Sequence, residues 1–416
     1  MAGEIPKDEG FDKTLSVLKE GYNFILNRKE DLNTNVFETR ILGEKAICLT
    51  GSKGAELFYD NSKFRRSDAA PSRVKKTLFG KGGLQGLDGT EHQHRKAMFM
   101  TLMDDDAMGE IDLLMRKYWR KYFEETGSIE TIELYEAAKI VTLQTACEWT
   151  GVPLKRKETV ERAGQISDLF ESPAALGVQH WKGRFSRSKA NDWIEGIVDD
   201  VRNGKISVDE HRAVYTFSWH RDENGEMLDK KTVAVELLNL IRPMTAVSVW
   251  TAMIGLALHE FPGEKGKLKG ADDQKIEWFI QEVRRYYPFF PFAAARTDAD
   301  FEWKGFKFEE GTLTLLDLYG TNRHPDDWVH PEQFMPERFE GWQQTPFNFI
   351  PQGGGTYDFG HRCAGEFITI VMMKSTVDFL VNEMEYDVPD QDFDFEFNDI
   401  PAVPNDKVKI NNYRFK

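Results

Sequence analysis

Cysteine is scarce in this sequence. The 416-residue chain contains only Cys48, Cys147 and Cys363, which lie far apart and show no CxxC spacing. An odd number of isolated cysteines argues against a disulfide framework and against a thiolate zinc site. The composition is that of a protein from a reducing compartment, and we expect it to be cytoplasmic.

Basic residues are fewer than acidic residues in this chain. The chain has 54 lysines and arginines against 69 aspartates and glutamates, which gives a formal charge of −15 and an isoelectric point of about 5.2. Polyanions repel a protein with this balance, so we expect no nucleic-acid partner. The net charge also gives no reason to expect attraction to anionic lipid.

Long apolar runs are missing as well. The most apolar stretch, Met244–Leu258, is too short to span a bilayer comfortably, and we interpret it as a buried core helix. The charged N-terminal residues do not resemble a signal peptide, and we expect no membrane anchor. Apolar residues still make up 40% of the chain and aromatic residues 12%, which is enough for a sizeable core.

Hydrophobic periodicity predicts a mainly α fold with a small β part, in a single domain over residues 1–416. The β-rich parts are predicted at about 36–50 and 301–320, and the helical part at about 51–290. Long helices are predicted at about 230–260, at about 273–287, where Pro288 ends the helix, and at 367–388.

The segment QGGGTYDFGHRCAGE, residues 352–366, places Cys363 among five glycines. Glycines gather where a backbone turns sharply or approaches another group closely. A helix start favours a thiolate, and His361 and Arg362 add positive charge nearby, so Cys363 is a candidate metal ligand or nucleophile. The alternative is a small buried hydrophobe before an apolar helix.

The loop at residues 351–366 resembles the cysteine-ligand loop of the cytochrome P450 family. In that family the loop reads Phe, two variable residues, Gly, a variable residue, His or Arg, a variable residue, Cys, a variable residue and Gly. Three residues of this chain match that pattern: His361, Cys363 and Gly365. Gly360 lies one position too close to the cysteine, and Thr356 occupies the phenylalanine position.

Two further segments are similar to the same family and occur in the family order. Glu282 and Arg285 match its Glu-x-x-Arg helix, which taken alone is usually a solvated surface pair, and Pro336–Phe339 matches its Pro-Glu-Arg-Phe. Jointly the motifs imply a cytochrome P450 fold. Haem b would lie between a central and a proximal helix, with the Cys363 thiolate as its axial ligand. The resemblance also implies that Glu282, Arg285 and Arg338 form a buried charge cluster behind the haem.

The predicted central helix carries Arg242 and Pro243, whereas the family normally has an acid beside an alcohol there. Proline removes a hydrogen bond to the carbonyl four residues earlier, here Asn239, and kinks a helix. An arginine in apolar surroundings keeps its charge and needs an anionic partner. Glu236 lies six residues before Arg242, a spacing that does not place the two side chains next to each other on a helix. We expect a partner from outside the protein. The alternative is a surface arginine at a kink.

An Arg-Pro pair at this position resembles one subgroup, the bacterial fatty-acid peroxygenases. The resemblance implies that Arg242 binds the carboxylate of a long-chain fatty acid. That carboxylate would act as general acid and base as hydrogen peroxide binds the iron and its O–O bond breaks. A carboxylate held beside the iron brings the Cα and Cβ hydrogens within reach, so 2-hydroxy and 3-hydroxy acids are expected. No redox partner protein is then required.

Residues 78–89 resemble the segment that passes over the haem in this subgroup. Gln85 matches a position where hydroxylating members carry Gln and alkene-forming members tend to carry His. A glutamine cannot donate a proton as an acid, which favours hydroxylation over decarboxylation. Four side chains are implied walls of the substrate channel: Leu78, Phe79, Phe170 and Phe289. The alternatives are an ordinary loop residue for Gln85 and plain core aromatics for Phe79 and Phe289.

Basic residues near this segment are implied partners of the haem propionates. His92 and Lys96 lie four residues apart, on one face of a predicted helix. Arg66 and His361 are further candidates for contact with the haem. The alternative is a solvated basic helix face.

Three other functions remain open at this point. An O₂-dependent monooxygenase with a redox partner is disfavoured by the missing acid–alcohol pair. A fatty-acid decarboxylase that forms terminal alkenes is disfavoured by Gln85. A haem-based sensor or fatty-acid carrier would bind the acid without turnover.

Overall fold

The structure, a computed structural model, describes residues 3–127, 130–173, 175 and 177–416. It is mainly helical, with the strands gathered in small sheets. The α-helices are α1 Thr14–Glu20, α2 Asn23–Leu32, α3 Gly51–Phe58, α4 Ser72–Val74, α5 Gly89–Met100, α6 Asp105–Thr126, α7 Leu134–Thr150, α8 Thr159–Glu171, α9 Val178–Arg202, α10 Ala213–Ser218, α11 Lys230–Glu260, α12 Pro262–Leu268, α13 Asp273–Tyr286, α14 Leu318–Thr321 and α15 Glu366–Asp378.

The strands form a five-stranded sheet in the order β1-β2-β8-β5-β3, a three-stranded sheet β4-β10-β9 and a hairpin β6-β7. Their bounds are β1 Val36–Ile41, β2 Glu44–Leu49, β3 Phe64–Arg65, β4 Thr131–Glu133, β5 Phe292–Thr297, β6 Phe301–Trp303, β7 Phe306–Phe308, β8 Leu313–Asp317, β9 Met384–Asp387 and β10 Lys409–Phe415. Leu42 and Gly43 join β1 to β2 with φ angles of 55° and 80°, the left-handed pair that a two-residue hairpin turn needs.

Helix α11 is the centre of the fold. It begins where the Asp229 side chain accepts hydrogen bonds from the amides of Lys231 and Thr232, and it continues through Pro243 to Glu260. It packs against α7, α9 and α15. By length and composition α11 could cross a membrane, but 94% of its most apolar window is buried inside the protein. It is therefore a core helix.

The sequence predicted the long helices and the main β-rich parts, but it did not predict α1, α2, β3 or β4, and one predicted helix is partly wrong. The helices expected at about 230–260 and 273–287 are α11 and α13. The helix expected at 367–388 is wrong in its last part, because α15 ends at Asp378 and a wide helical turn, Phe379–Glu383, leads into β9. Strand β10 supplies the hydrogen-bond partners that make Met384–Asp387 extended. Apolar periodicity cannot reveal such a distant partner. The single-domain organisation stays a prediction.

Candidate active site

One cavity of about 1220 Å³ joins the middle of α11 to the segment that carries the cysteine. Its wall includes Arg242 and Pro243 from α11, Gln85 from the segment before α5, and Cys363 itself. Residues that lie far apart in the sequence thus face one space, and this space is the candidate active site.

The loop before α15 holds Cys363 by a backbone path that requires glycine. Gly353 and Gly355 have φ angles of 91° and 83°, a region that residues with side chains rarely adopt. The Cys363 amide donates to the Gln352 carbonyl at 3.4 Å, and α15 begins at Glu366, directly after this loop. The thiol therefore lies at the N-terminus of a helix, at the wall of the cavity.

The surroundings of this thiol suit a metal ligand. Burial raises the pKa of the Cys363 thiol above its usual value, and the Glu366 carboxylate adds to that effect. The Gly365 amide, Lys96 and Arg284 act in the opposite direction and favour the thiolate. A thiolate at this position therefore needs a further positive partner, which a bound metal ion would supply.

Lys96 is buried beneath the cysteine loop. Its Nζ atom donates to the carbonyls of Gly360 and Arg362, both at 2.6 Å. An ammonium group has three N–H bonds, so one remains for another acceptor, such as a propionate. Burial lowers the pKa of Lys96 to about 8. Lys96 thus stabilises the conformation of the cysteine loop through these two hydrogen bonds. The sequence predicted only a contact between Lys96 and a haem propionate.

An ion-pair cluster behind the loop was missed by the sequence reading. Glu366 accepts from Arg284 Nη2 at 2.7 Å and from Arg362 Nε at 2.6 Å, and the side chains of Glu366 and Arg284 are almost fully buried. The available signal was the doubled arginine of α13. Neighbouring residues of a helix point about 100° apart, so Arg284 and Arg285 serve different clusters.

The structure brings Glu282, Arg285 and Arg338 together. Glu282 Oε2 accepts from Arg285 Nε at 2.7 Å and lies 3.2 Å from Arg338 Nε, and the Glu282 and Arg285 side chains are fully buried. The two arginines also donate to backbone carbonyls, those of Val329, His330, Pro331 and Gln333. The cluster therefore braces the irregular segment that leads to the cysteine loop.

All four basic residues expected to contact the haem line the cavity: Arg66, His92, Lys96 and His361. The His92 and His361 rings lie 4.0 Å apart. Arg66 Nη2 donates to the Phe58 carbonyl at 3.1 Å, whereas its Nη1 is buried and has no hydrogen-bond partner among the described residues. An orphaned buried donor in this place fits a haem carboxylate, because such a group would accept from it.

The expected positive charge of His361 is wrong. Burial lowers the pKa of His361 to about 2, and Arg66, His92 and Lys96 act in the same direction. Burial likewise lowers the pKa of His92 to about 4 and that of Arg66 to about 10. The two imidazoles are therefore neutral near pH 7, and Arg66 carries the charge on this side of the cavity.

Arg242 is a buried cation that has no counter-ion among the described residues. The residue is 5% exposed, and its Nη2 lies 3.5 Å from Asn239 Oδ1. Its Nε is buried and unpartnered, and no carboxylate within the described part of the chain lies at ion-pair distance. Burial lowers the pKa of Arg242 to about 9, and the Arg187 cation adds to this effect. The alternative of a surface arginine is thus wrong.

The nearest acid on α11 is engaged elsewhere. Glu236 Oε1 accepts from Arg95 Nη1 at 2.9 Å and from the Leu84 amide at 3.0 Å, while its Oε2 accepts from Asn239 Nδ2 at 2.9 Å. Arg242 is therefore linked to Glu236 only through Asn239. This agrees with the interpretation that Glu236 is not placed to pair with Arg242 directly.

Gln85 lies in the short helical turn Leu84–Gly86 and lines the cavity. Its Oε1 atom is buried and has no partner within the described residues. Before Gln85 in the chain, Lys75–Phe79 forms a single π-helical turn. The Leu78 carbonyl in this turn accepts a hydrogen bond from Arg187 Nη1 at 3.3 Å. This segment therefore covers the cavity between α9 and α11.

The cavity wall includes all four predicted apolar residues: Leu78, Phe79, Phe170 and Phe289. They belong to one apolar cluster with Ala246 and Val249 of α11. The Phe289 ring also stacks on that of Trp250, 4.6 Å away. The sequence supports two interpretations of Phe79 and Phe289, as walls of the substrate channel or as core aromatics. In the structure they are both, because they pack against core residues and also line the cavity. The sequence reading missed Val249 and Trp250 as wall residues, since nothing in an apolar helix marks the face that lines a cavity.

The chain is similar in sequence to cytochrome P450 proteins. A family model described as cytochrome P450 matches residues 275–410. Among curated proteins, the chain is 23% identical over 381 residues to a β-amyrin 28-monooxygenase of Solanum lycopersicum, covering 83% of this chain and 79% of that protein.

The likeness to solved structures extends over the whole chain. The fold is similar to that of cytochrome P450EX alpha (CYP152N1) with myristic acid, with a TM-score of 0.96, 48% identity and 100% of both chains covered. It is also similar to that of a variant of cytochrome P450 OleT in complex with arachidonic acid. There the TM-score is 0.96 and the identity 34%, covering 100% of this chain and 99% of that chain.

Proposed function

This chain belongs to the cytochrome P450 family and, within it, to the CYP152 fatty-acid peroxygenase group, and from this we propose that it hydroxylates long-chain fatty acids at Cα or Cβ with hydrogen peroxide. The cofactor is a haem, here proposed to be haem b, bound through the Cys363 thiolate. When bound, this haem supplies the oxidation chemistry. The remaining steps depend on the chain's own residues.

The observation that carries the proposal is the charge of Arg242. A buried guanidinium without a counter-ion is costly, and a carboxylate that pairs with it removes the cost. A planar carboxylate can accept from two guanidinium N–H groups, which sets its position and its orientation. The unpartnered Nε and the weakly engaged Nη2 of Arg242 are the donors available for this contact.

The bound carboxylate would also provide the missing acid. The α11 residues that line the cavity include no acid and no alcohol: Asn239, Leu240, Arg242, Pro243, Met244, Ala246, Val247, Val249 and Trp250. A carboxylate oxygen held by Arg242 can accept a proton from hydrogen peroxide and return it, which is general acid–base catalysis by the substrate. This supports peroxide as the oxidant and speaks against a need for a redox partner protein.

The same contact would set the position of oxidation. With the headgroup held at Arg242, the carbon atoms next to it are the ones kept near the Cys363 side of the cavity, and the alkyl chain extends along Leu78, Phe79, Phe170 and Phe289. Gln85 has no acidic proton, which favours hydroxylation over loss of the carboxylate. The three cysteines are free, and Cys48 and Cys147 are buried, which fits the reducing cytoplasm of a bacterium that we propose as the location.

Incubation of the holoenzyme with myristic acid and hydrogen peroxide, without a reductase, tests the proposal. We expect 2-hydroxy or 3-hydroxy myristic acid by mass spectrometry. Arg242→Ala should abolish this product while haem content and the absorbance spectrum of the bound haem remain. If Arg242→Ala hydroxylates myristic acid like the wild type, or if turnover requires O₂ and a reductase, the proposal is wrong.

A further inference from the structure

Apolar side chains are exposed beside the cavity at the start of α9. Val178, Trp181 and Phe185 are 86%, 72% and 62% exposed. Their spacing places them on one face of the helix. Gln179, in the same first turn, lines the cavity. Large aromatic side chains that stand in water at a cavity edge indicate an interaction surface.

The two segments at this edge have an unusual charge. Residues 69–87 and 172–191 contain no aspartate or glutamate, although the chain as a whole carries −15. Each segment contains four basic residues, which are Arg73, Lys75, Lys76 and Lys81 in the first and Lys182, Arg184, Arg187 and Lys189 in the second. The average charge therefore hides a local excess of positive charge.

The two segments lie against each other, since Arg187 Nη1 donates to the Leu78 carbonyl at 3.3 Å. Neighbouring acids neutralise part of the charge, through the pairs Lys75–Asp68 at 3.0 Å, Lys182–Asp168 at 2.7 Å and Lys189–Glu161 at 3.6 Å. Lys76, Lys81 and Arg184 have no ion pair within the described ranges. We call these three cations and the exposed Val178, Trp181 and Phe185 the mouth rim.

We propose that the mouth rim docks the protein on an anionic lipid bilayer, from which fatty acids enter the cavity. Aromatic and aliphatic side chains insert at the level of the lipid headgroups, and lysines and arginines beside them are attracted to anionic lipids. The net charge by itself gives no reason to expect this attraction, which depends on the local charge of the mouth rim. The delivery of fatty acid rests on the proposed function, whereas docking does not.

An acidic protein that carries acyl chains is the competing occupant. Its charge would also suit the mouth rim. However, an acyl chain bound to a carrier as a thioester has no free carboxylate, and Arg242 is built to pair with one. A bilayer holds fatty acids with free carboxylates at its surface, within the layer that Trp181 and Phe185 would enter. The bilayer is therefore the occupant that suits both the rim and the cavity.

Sedimentation of the holoenzyme with vesicles tests the docking. We expect binding to vesicles that contain phosphatidylglycerol, weaker binding at high salt, and little binding to pure phosphatidylcholine. Trp181→Ser/Phe185→Ser should weaken binding about tenfold, because it removes the inserting aromatics, and Lys81→Glu/Arg184→Glu should weaken it most at low salt. Leu113→Ser/Trp219→Ser is the matched control, since these residues are 68% and 42% exposed and lie outside the cavity wall.

The outcomes separate docking from catalysis. All three double variants should hydroxylate dissolved myristic acid like the wild type. Equal sedimentation with both lipids, or wild-type binding by Trp181→Ser/Phe185→Ser, overturns the docking. Capture by an acyl carrier protein without vesicle binding assigns the rim to a protein and also overturns it. Vesicle binding without any fatty-acid oxidation would refute the proposed function and leave the docking intact.

Discussion

Glu236 holds Asn239, with Glu236 Oε2 accepting from Asn239 Nδ2 at 2.9 Å inside helix α11. Asn239 Oδ1 in turn faces Arg242 Nη2. Through its other oxygen, Glu236 accepts from the Leu84 amide, next to Gln85, and from the Arg95 guanidinium. One buried carboxylate thus joins the segment over the cavity to the arginine that we propose binds the substrate.

Removal of this carboxylate should cost stability. Glu236→Ala leaves the Arg95 cation buried, only 6% of its side chain being exposed, without its main partner. We expect a loss of about 3–5 kcal/mol in the free energy of unfolding, measured in urea. Glu236→Gln keeps an acceptor for the Leu84 amide and should cost less, while the ratio of 2-hydroxy to 3-hydroxy product shifts because Asn239 is held differently.

The exposed pair Arg414–Glu385 provides the control. Glu385→Ala breaks an ion pair whose side chains are 76% and 48% exposed, and it should cost no more than about 1 kcal/mol. If Glu236→Ala is as stable as Glu385→Ala, the buried network does not support the fold in the way described.

The Arg242 contact should discriminate between headgroups. Arg242→Ala should weaken binding of myristic acid at least about tenfold, because a charged hydrogen bond is lost, and should leave binding of 1-tetradecanol nearly unchanged. Titration of the haem absorbance measures both affinities. An equal loss for acid and alcohol would mean that the substitution damages the cavity and not a carboxylate contact.

Gln85 should influence the fate of the carboxylate. Its Oε1 atom is buried and has no hydrogen-bond partner in the described residues, so a substitution here breaks no hydrogen bond of that atom. An imidazole ring has a similar size to the glutamine side chain and can occupy the same position in the cavity wall. Gln85→His introduces an imidazole, which unlike an amide can donate a proton as an acid. We expect a larger fraction of terminal alkene among the products, measured by gas chromatography. Gln85→Leu, which carries no proton, should not raise this fraction.

Asp317 should make stability depend on pH. Burial raises the pKa of the Asp317 carboxyl to about 7, against hydrogen bonds from the Gly320 amide and the Thr50 hydroxyl. Because the folded protein binds this proton more tightly than the unfolded chain, stability present below pH 4 is lost as pH rises to about 7. The loss is on the order of 4 kcal/mol.

Asp317→Asn mimics the protonated carboxyl and should remove that part of the pH dependence. The free energy of unfolding of the variant, relative to wild type, should therefore increase between pH 5 and pH 7. Asp31→Asn at an exposed position is the control. If wild type and Asp317→Asn keep the same difference across this range, Asp317 does not titrate as described.

The cysteine loop shows where sequence reasoning ended. The glycines around Cys363 and the order of the three motifs were enough for the resemblance to the P450 family, which the comparisons confirm. The motifs did not include the buried Arg284–Glu366–Arg362 cluster, nor the contact of Lys96 with two loop carbonyls. Each of these contacts joins residues from separate helices or loops, and periodicity describes only one element at a time.

The amino-acid sequence alone determined the helical class, the long α11 with Arg242 and Pro243, and the cysteine with its glycine-rich loop, because helix periodicity and short motifs are local properties. Only the tertiary structure decided that Arg242 is buried with no carboxylate partner in the described part of the chain, that His361 is neutral, and that a basic, aromatic rim borders the cavity of an acidic protein. Burial and charge–charge distances depend on which segments meet in space, and a one-dimensional pattern contains neither.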